Sequence, residues 1–520
     1  MKIQGNWKTE RRLMSKTFEM SFFPYAIKKW NELNDELRAF GSLVMAAIIL
    51  VLAYFLRSND GEDSSIPYAT YGSYPVIGHL LSFLRCRTKL LLECGQQYGQ
   101  CFRIKVLKQR FTMILSYADW MTIIRNQSLK FDGIDFGIKI FGISPALLKF
   151  DADGHRLYVQ HLKNRDGLRP MVVEFVRRTR KLMKNEKVAL EKNGTVLNWI
   201  SSGLLEFSHH MLYQPSTLAL IGEIDPSSLE NDFRVFDKSF HYFIIPFPRW
   251  VYSWFLPREL KARSRLNASW LKNRDPPHAS EFHRDRLAHL SNNSHWLSNE
   301  DYGGLLTGFF WASLGNTIPG VFWSLFYILR DAKALETIKE EINTHLPDVP
   351  LNADDNDSLA EDWTPEQLDL CAYLESAINE TLRLVGAPFM TRKCFRETQI
   401  VLQDGRTLNI KPDETVAWFG GASHFDPNMF PEPTTFVFDR FLNKKAETVP
   451  GFMPFGGGKS ICPGRFFAKY EIKTCVAMLL RYMEYKLEVI ETIPTQVLPR
   501  IGVGIAPPSR DIPIMYRYKI

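Results

Sequence analysis

Along most of the chain, apolar positions recur with the spacing of amphipathic helices rather than with the alternation of strands. From Leu157 onward this pattern dominates, and its longest stretch is Gly303–Ile342. The stretch is interrupted at Ala312-Ser313-Leu314-Gly315-Asn316-Thr317-Ile318-Pro319. Pro319 has no N–H and its ring crowds the Gly315 carbonyl, so a kink is expected there, with that carbonyl freed and a groove beside Asn316. Phe102–Leu115 alternates well enough for a pair of short strands. Asn267–Glu300 and Pro347–Asp362 read as polar loops. The fold class that follows is mainly α with small β-sheets (α+β).

The N-terminal pattern differs. Ala39–Leu56 is a run of 18 uncharged, mostly apolar residues between Arg38 and Arg57. At about 1.5 Å per residue it spans roughly 27 Å, enough for a single transmembrane anchor. A long head and no small-residue cleavage site argue against a signal peptide. The predicted organisation is a head without assigned role (1–38), the anchor (39–56), a linker ending in a Pro/Gly-rich hinge (57–78) and one catalytic unit (79–520). Phe240–Leu260 packs aromatic residues between prolines beside Arg249, Arg258 and Lys261. It reads equally as a core segment or as a wedge dipping into a membrane.

Composition narrows the picture. With 45% hydrophobic and 13% aromatic residues the chain can bury a large core. Its 7 cysteines are odd in number, lack zinc spacing and include no Cys-x-x-Cys-His, which excludes covalent haem attachment. The net charge of +7 is dispersed, which suits an anionic membrane or an acidic electron donor and speaks against nucleic acid. No flavin or dinucleotide fingerprint is present.

Candidate chemistry centres on Phe455-Gly456-Gly457-Gly458-Lys459-Ser460-Ile461-Cys462-Pro463-Gly464-Arg465. The glycines permit tight turns close to a flat ligand. Cys462 precedes a helical pattern carrying Phe467, Ile472, Val476, Leu479 and Leu480, and a helix N-terminus is expected to favour its thiolate. A thiolate in such a loop is what a haem iron needs as an axial ligand when an O–O bond must be cleaved. The bland reading is a buried structural cysteine on a glycine turn.

These residues resemble the haem-thiolate loop of the cytochrome P-450 family. Ser460 stands where many members carry Arg or His, a change tolerated by the branch of sterol 7α- and 12α-hydroxylases and prostacyclin synthase. The interrupted helix is similar to the family's distal helix, with Gly315 and Asn316 replacing its acid–alcohol pair, as in that branch. Glu380 and Arg383 lie three apart on one helical face, with Arg440 further on. The resemblance implies that this trio is a buried network locking the cysteine loop. It also implies haem b (iron protoporphyrin IX) ligated by Cys462, with Phe455, Gly458, Gly464 and Arg392 around it and Asn316 and Thr317 on the oxygen side. His424 is taken as structural. His155, Arg156 and His161 are read as surface helix residues.

The expectation is therefore a cytochrome P-450 fold with a single-pass anchor, acting as a monooxygenase. It would use O2 and electrons from an NADPH-cytochrome reductase to hydroxylate a sterol or oxysterol. The resemblance implies a cytosolic catalytic domain on the endoplasmic reticulum membrane, although the basic head alone would place the N-terminus inside. The alternatives are a prostacyclin-synthase-like isomerase of a lipid peroxide and a non-catalytic haem- or lipid-binding protein.

Overall fold

The computed structural model describes residues 66–519, except 75–76, 108, 131–139, 145–155, 245–248, 294–296, 352–362 and 488–492. The expected head and anchor lie outside the described residues, as does part of the hinge. Helices dominate. Those that frame the site are α1 (Leu80–Tyr98), α2 (Ser227–Ser239), α3 (Asn299–Leu314), α4 (Thr317–Arg330), α5 (Ala372–Val385) and α6 (Arg465–Tyr482).

Local chemistry sets their limits. Ser298 accepts from the Asp301 N–H while the Asp301 carboxylate accepts from Ser298 N–H, a capping box that starts α3. The break between α3 and α4 falls at Gly315-Asn316, ahead of Pro319. Together Asn299–Arg330 is long and apolar enough to cross a membrane, yet 72% of its apolar window is buried inside the protein. Its apolarity serves a core. Apolar residues of α4 and α6 share the largest buried cluster, and an added Cβ at Gly320 would meet Ile472 Cδ1 at 2.8 Å. Close packing of this kind holds the distal helix against the helix that follows Cys462.

One expectation fails. Asn267–Glu300 is not a loop throughout, because Pro257–Lys272 and Glu281–Asn292 are helical. The latter buries Phe282, His283, Leu287 and Leu290, a sparse apolar face that polar neighbours obscured.

The strands are β1 (Cys101–Val106), β2 (Gln109–Ile114), β3 (Leu129–Lys130), β4 (Ile200–Gly203), β5 (Phe389–Cys394), β6 (Thr398–Val401), β7 (Thr407–Ile410), β8 (Thr415–Phe419), β9 (Met483–Leu487) and β10 (Pro513–Tyr518). Three sheets result, ordered β1-β2-β8-β5-β3, β4-β10-β9 and β6-β7. The β5–β8 register pairs Phe389 with Phe419 and Arg392 with Val416. Alternation along β5 sends Arg392 into a buried position, 4% exposed.

Candidate active site

The cysteine loop is a folded turn rather than a loose connection. Gly456 (φ +77°) and Gly458 (φ +67°) both take left-handed conformations that other residues resist. These bends let the Cys462 N–H reach back to the Phe455 carbonyl at 3.0 Å. Phe455 and Gly464 are half-buried, while Gly458 is exposed. An added Cβ at Gly464 would meet nothing within 4 Å, so open space lies beside the cysteine. Burial pushes the Cys462 thiol up, against the lowering pull of the Gly464 and Arg465 N–H groups and the Arg465 guanidinium. The lowering expected from the helix start is present, but desolvation is the larger effect.

Among the described residues no group of three or more His, Cys, Asp or Glu could hold a bare metal ion. The donor set at Cys462 is one sulfur flanked by backbone N–H groups. It fits a metal that brings its own equatorial donors, as a porphyrin does.

β5 ties this loop to the opposite wall. Arg392 Nη2 donates to the Gly457 carbonyl at 2.9 Å, and its guanidinium lies 5.6 Å from the Trp120 ring centroid. At the other end of the strand, Phe389 N–H donates to the Gly502 carbonyl at 2.9 Å.

Glu380 and Arg383, both 0% exposed, form a two-pronged pair at 2.8 Å through Nε and Nη2. Arg440 Nε adds contacts of 3.0 Å to both Glu380 oxygens. The two guanidiniums then donate to the carbonyls of His424, Pro433, Pro431 and Glu432. The segment held directly is thus 424–437, upstream of the cysteine loop. His424 passes the hold onward, since its buried Nε2 accepts from Met453 N–H at 3.1 Å.

On the distal side the carbonyl of Gly315 is freed, but it does not stay open. Arg500 Nη2 donates to it at 2.8 Å, and Arg500 also pairs with Asp237 Oδ1 at 2.8 Å. Asp237 in turn accepts from Trp311 Nε1 at 2.8 Å. Asn316 Oδ1 accepts from Ile505 N–H at 3.1 Å. The approach demands glycine next door, because a Cβ on Gly504 would lie 2.0 Å from that oxygen. Thr317 is 2% exposed and its hydroxyl donates to the Ser313 carbonyl at 2.8 Å. The 501–508 turn therefore packs directly against Asn316, where the groove was expected.

Sequence reasoning missed Arg500, Asp237 and Trp311. Arg500 immediately precedes the apolar stretch Ile501–Pro508, and a lone arginine carries no periodic signal. His161 is also corrected. It is 2% exposed and its Nε2 lies 2.8 Å from Asp285 Oδ2. Arg156 is exposed, and His155 lies outside the described residues.

The cytochrome P450 family model matches residues 69–513. The 7-alpha-hydroxycholest-4-en-3-one 12-alpha-hydroxylase of Oryctolagus cuniculus is 28% identical over 92% of this chain and 98% of its own. Cytochrome P450 7A1 of Rattus norvegicus is 30% identical over 91% of this chain and 98% of its own. The cholesterol 7-alpha-monooxygenase of Cricetulus griseus is 32% identical over 62% of this chain and 67% of its own.

Proposed function

The chain belongs to the cytochrome P450 family, and from that premise we propose that it hydroxylates a sterol or a similarly hydrophobic lipid. It is a monooxygenase with haem b as cofactor. The observation that carries the sterol reading is similarity to a protein named as a 12-alpha-hydroxylase over nearly its full length and to a cholesterol 7-alpha-monooxygenase over 62% of this chain.

Bound through a thiolate, the haem supplies reductive activation of O2, so that one oxygen atom enters a C–H bond and the other leaves as water. Cys462 would hold the haem iron through its sulfur, and the N–H groups of Gly464 and Arg465 would temper its basicity. Phe455, Gly458 and Gly464 shape the cradle, and Arg392 neutralises a propionate while tethering the loop at Gly457. The Glu380–Arg383–Arg440 network keeps that cradle in register.

Asn316 and Thr317 serve the oxygen side. A carboxamide does not titrate, so Asn316 orients groups by hydrogen bonds and cannot itself cycle a proton. The Thr317 hydroxyl holds its own proton on Ser313 and keeps lone pairs to accept from a neighbour. Electrons come from NADPH through a separate reductase. The anchor at 39–56 fixes the enzyme to the endoplasmic reticulum with the catalytic unit in the cytosol. Exposed Trp254 (70%) and Phe255 (42%) give the globule a second membrane contact.

A titration of purified holoprotein with sterols, oxysterols and a lipid-peroxide analogue tests the reading. Sterols should shift the haem spectrum at micromolar concentration. A response confined to the peroxide analogue would overturn it.

A further inference from the structure

His241 carries a polarity that nothing in the fold uses. It follows α2 in the short turn Phe240–Tyr242 and is 6% exposed. Both ring nitrogens are buried, and neither has a hydrogen-bond partner among the described residues. Burial leaves such a group without either water or protein, a cost that native structures rarely tolerate without an occupant.

Its position explains which occupant. Phe240, its neighbour, stacks on Trp311 with ring centroids 3.5 Å apart, fixing this turn against the distal helix. One helical turn earlier, Asp237 holds both Trp311 and Arg500. Arg500 reaches the Gly315 carbonyl beside Asn316. Arg87 holds the start of the 501–508 turn beside Arg500, through the Ile501 carbonyl at 2.6 Å. His241 therefore stands in the wall between α2, the break in the distal helix and the C-terminal turn. Both of its ring nitrogens are unspent, whereas Arg500, Arg87 and Asp237 each already hold a partner here. Its charge state is settled as well. Burial first, then the nearby Arg500 and Arg87 guanidiniums, push its pKa down to about 3, so the ring is neutral at physiological pH. A neutral imidazole presents one donor and one acceptor. That pair complements a hydroxyl, which is itself both, better than a carboxylate, which only accepts.

We propose that His241 is a substrate-binding residue, hydrogen-bonding a hydroxyl of the sterol and so selecting oxygenated over hydrocarbon ends of the molecule. The proposal rests on the sterol reading above. A site built around such a bond discriminates strongly against an analogue lacking the oxygen, because the imidazole is then buried unpaired.

The test is spectral titration of the holoenzyme with cholesterol against cholestene, and with a side-chain hydroxycholesterol against cholesterol, in wild type, His241→Phe and His241→Gln. In wild type one of these pairs should show a preference for the hydroxylated member of about tenfold or more. His241→Phe should abolish that preference while binding the deoxy member at least as well, and His241→Gln should restore part of it. The carbon monoxide spectrum of each variant reports an intact thiolate site. An unchanged preference in His241→Phe, or none in wild type, overturns the assignment and leaves His241 a packed core residue. A wild type that responds to no sterol at all refutes the sterol reading instead.

Discussion

Cys462, half-buried just ahead of α6, and Glu471, buried within it, each have a distinct consequence. For Cys462, desolvation raises the thiol pKa, which favours the neutral thiol unless a cation is bound. Cys462→His should still bind some haem but lose the thiolate-type carbon monoxide difference spectrum. A variant that kept that spectrum would move the ligand elsewhere. Glu471 is 1% exposed, and neither its oxygens nor the nearby Ser216 hydroxyl makes a hydrogen bond of sound geometry. Burial lifts its pKa from 4.5 to about 8, with Ser216 opposing. The folded value exceeds the unfolded one, so folding favours the protonated form. Stability from this group is greatest below about pH 4.5 and declines as pH rises to about 8. At about 1.4 kcal/mol per unit the loss reaches a few kcal/mol. Glu471→Gln should flatten the melting temperature over that window relative to wild type. Cys462 was legible because its loop is a dense local motif. Glu471 was not, since a glutamate in a helical pattern gives no sign of which face is sealed.

At the scale of elements, the break between α3 and α4 was legible because proline chemistry is local. Its partner was not. The Gly315 carbonyl meets Arg500 across |i−j| = 185 residues, a distance that periodicity does not span. The same divide runs through the α5 network. The Glu380–Arg383 spacing and Arg440 stood out in sequence, while the carbonyls they hold between 424 and 435 emerged only from the fold. Those carbonyls explain why the network matters: the guanidiniums splice α5 to an irregular segment with few backbone bonds of its own. Arg383→Ala leaves buried Glu380 with only Arg440 and the Val437 N–H to hold it and strands the carbonyls of His424 and Pro433, at a cost on the order of 3–5 kcal/mol. The variant should accumulate as haem-free or aggregated protein, measured as the ratio of haem absorbance to total protein. Normal holoprotein yield would show that the network is dispensable.

For the whole molecule, the mainly helical class with small sheets was readable from patterning, because α and β periods differ. Sheet order was not, since β2 pairs in parallel with β8 across most of the chain. Membrane attachment divides similarly. The uncharged run 39–56 is plain in sequence, whereas the exposure of Trp254 and Phe255 needed the fold. Deleting residues 1–57 should leave a folded haem protein that still binds anionic vesicles, and high salt should weaken that binding if Arg258 and its neighbours contribute. The central claim, a haem-thiolate sterol hydroxylase, is tested most directly by turnover under isotopically labelled O2. Purified enzyme, NADPH, a cytochrome reductase and sterol are combined, and the product is read by mass spectrometry. The account predicts one labelled oxygen atom in the sterol for each NADPH usefully consumed. Unlabelled product, or turnover of a lipid peroxide without NADPH or reductase, would contradict it.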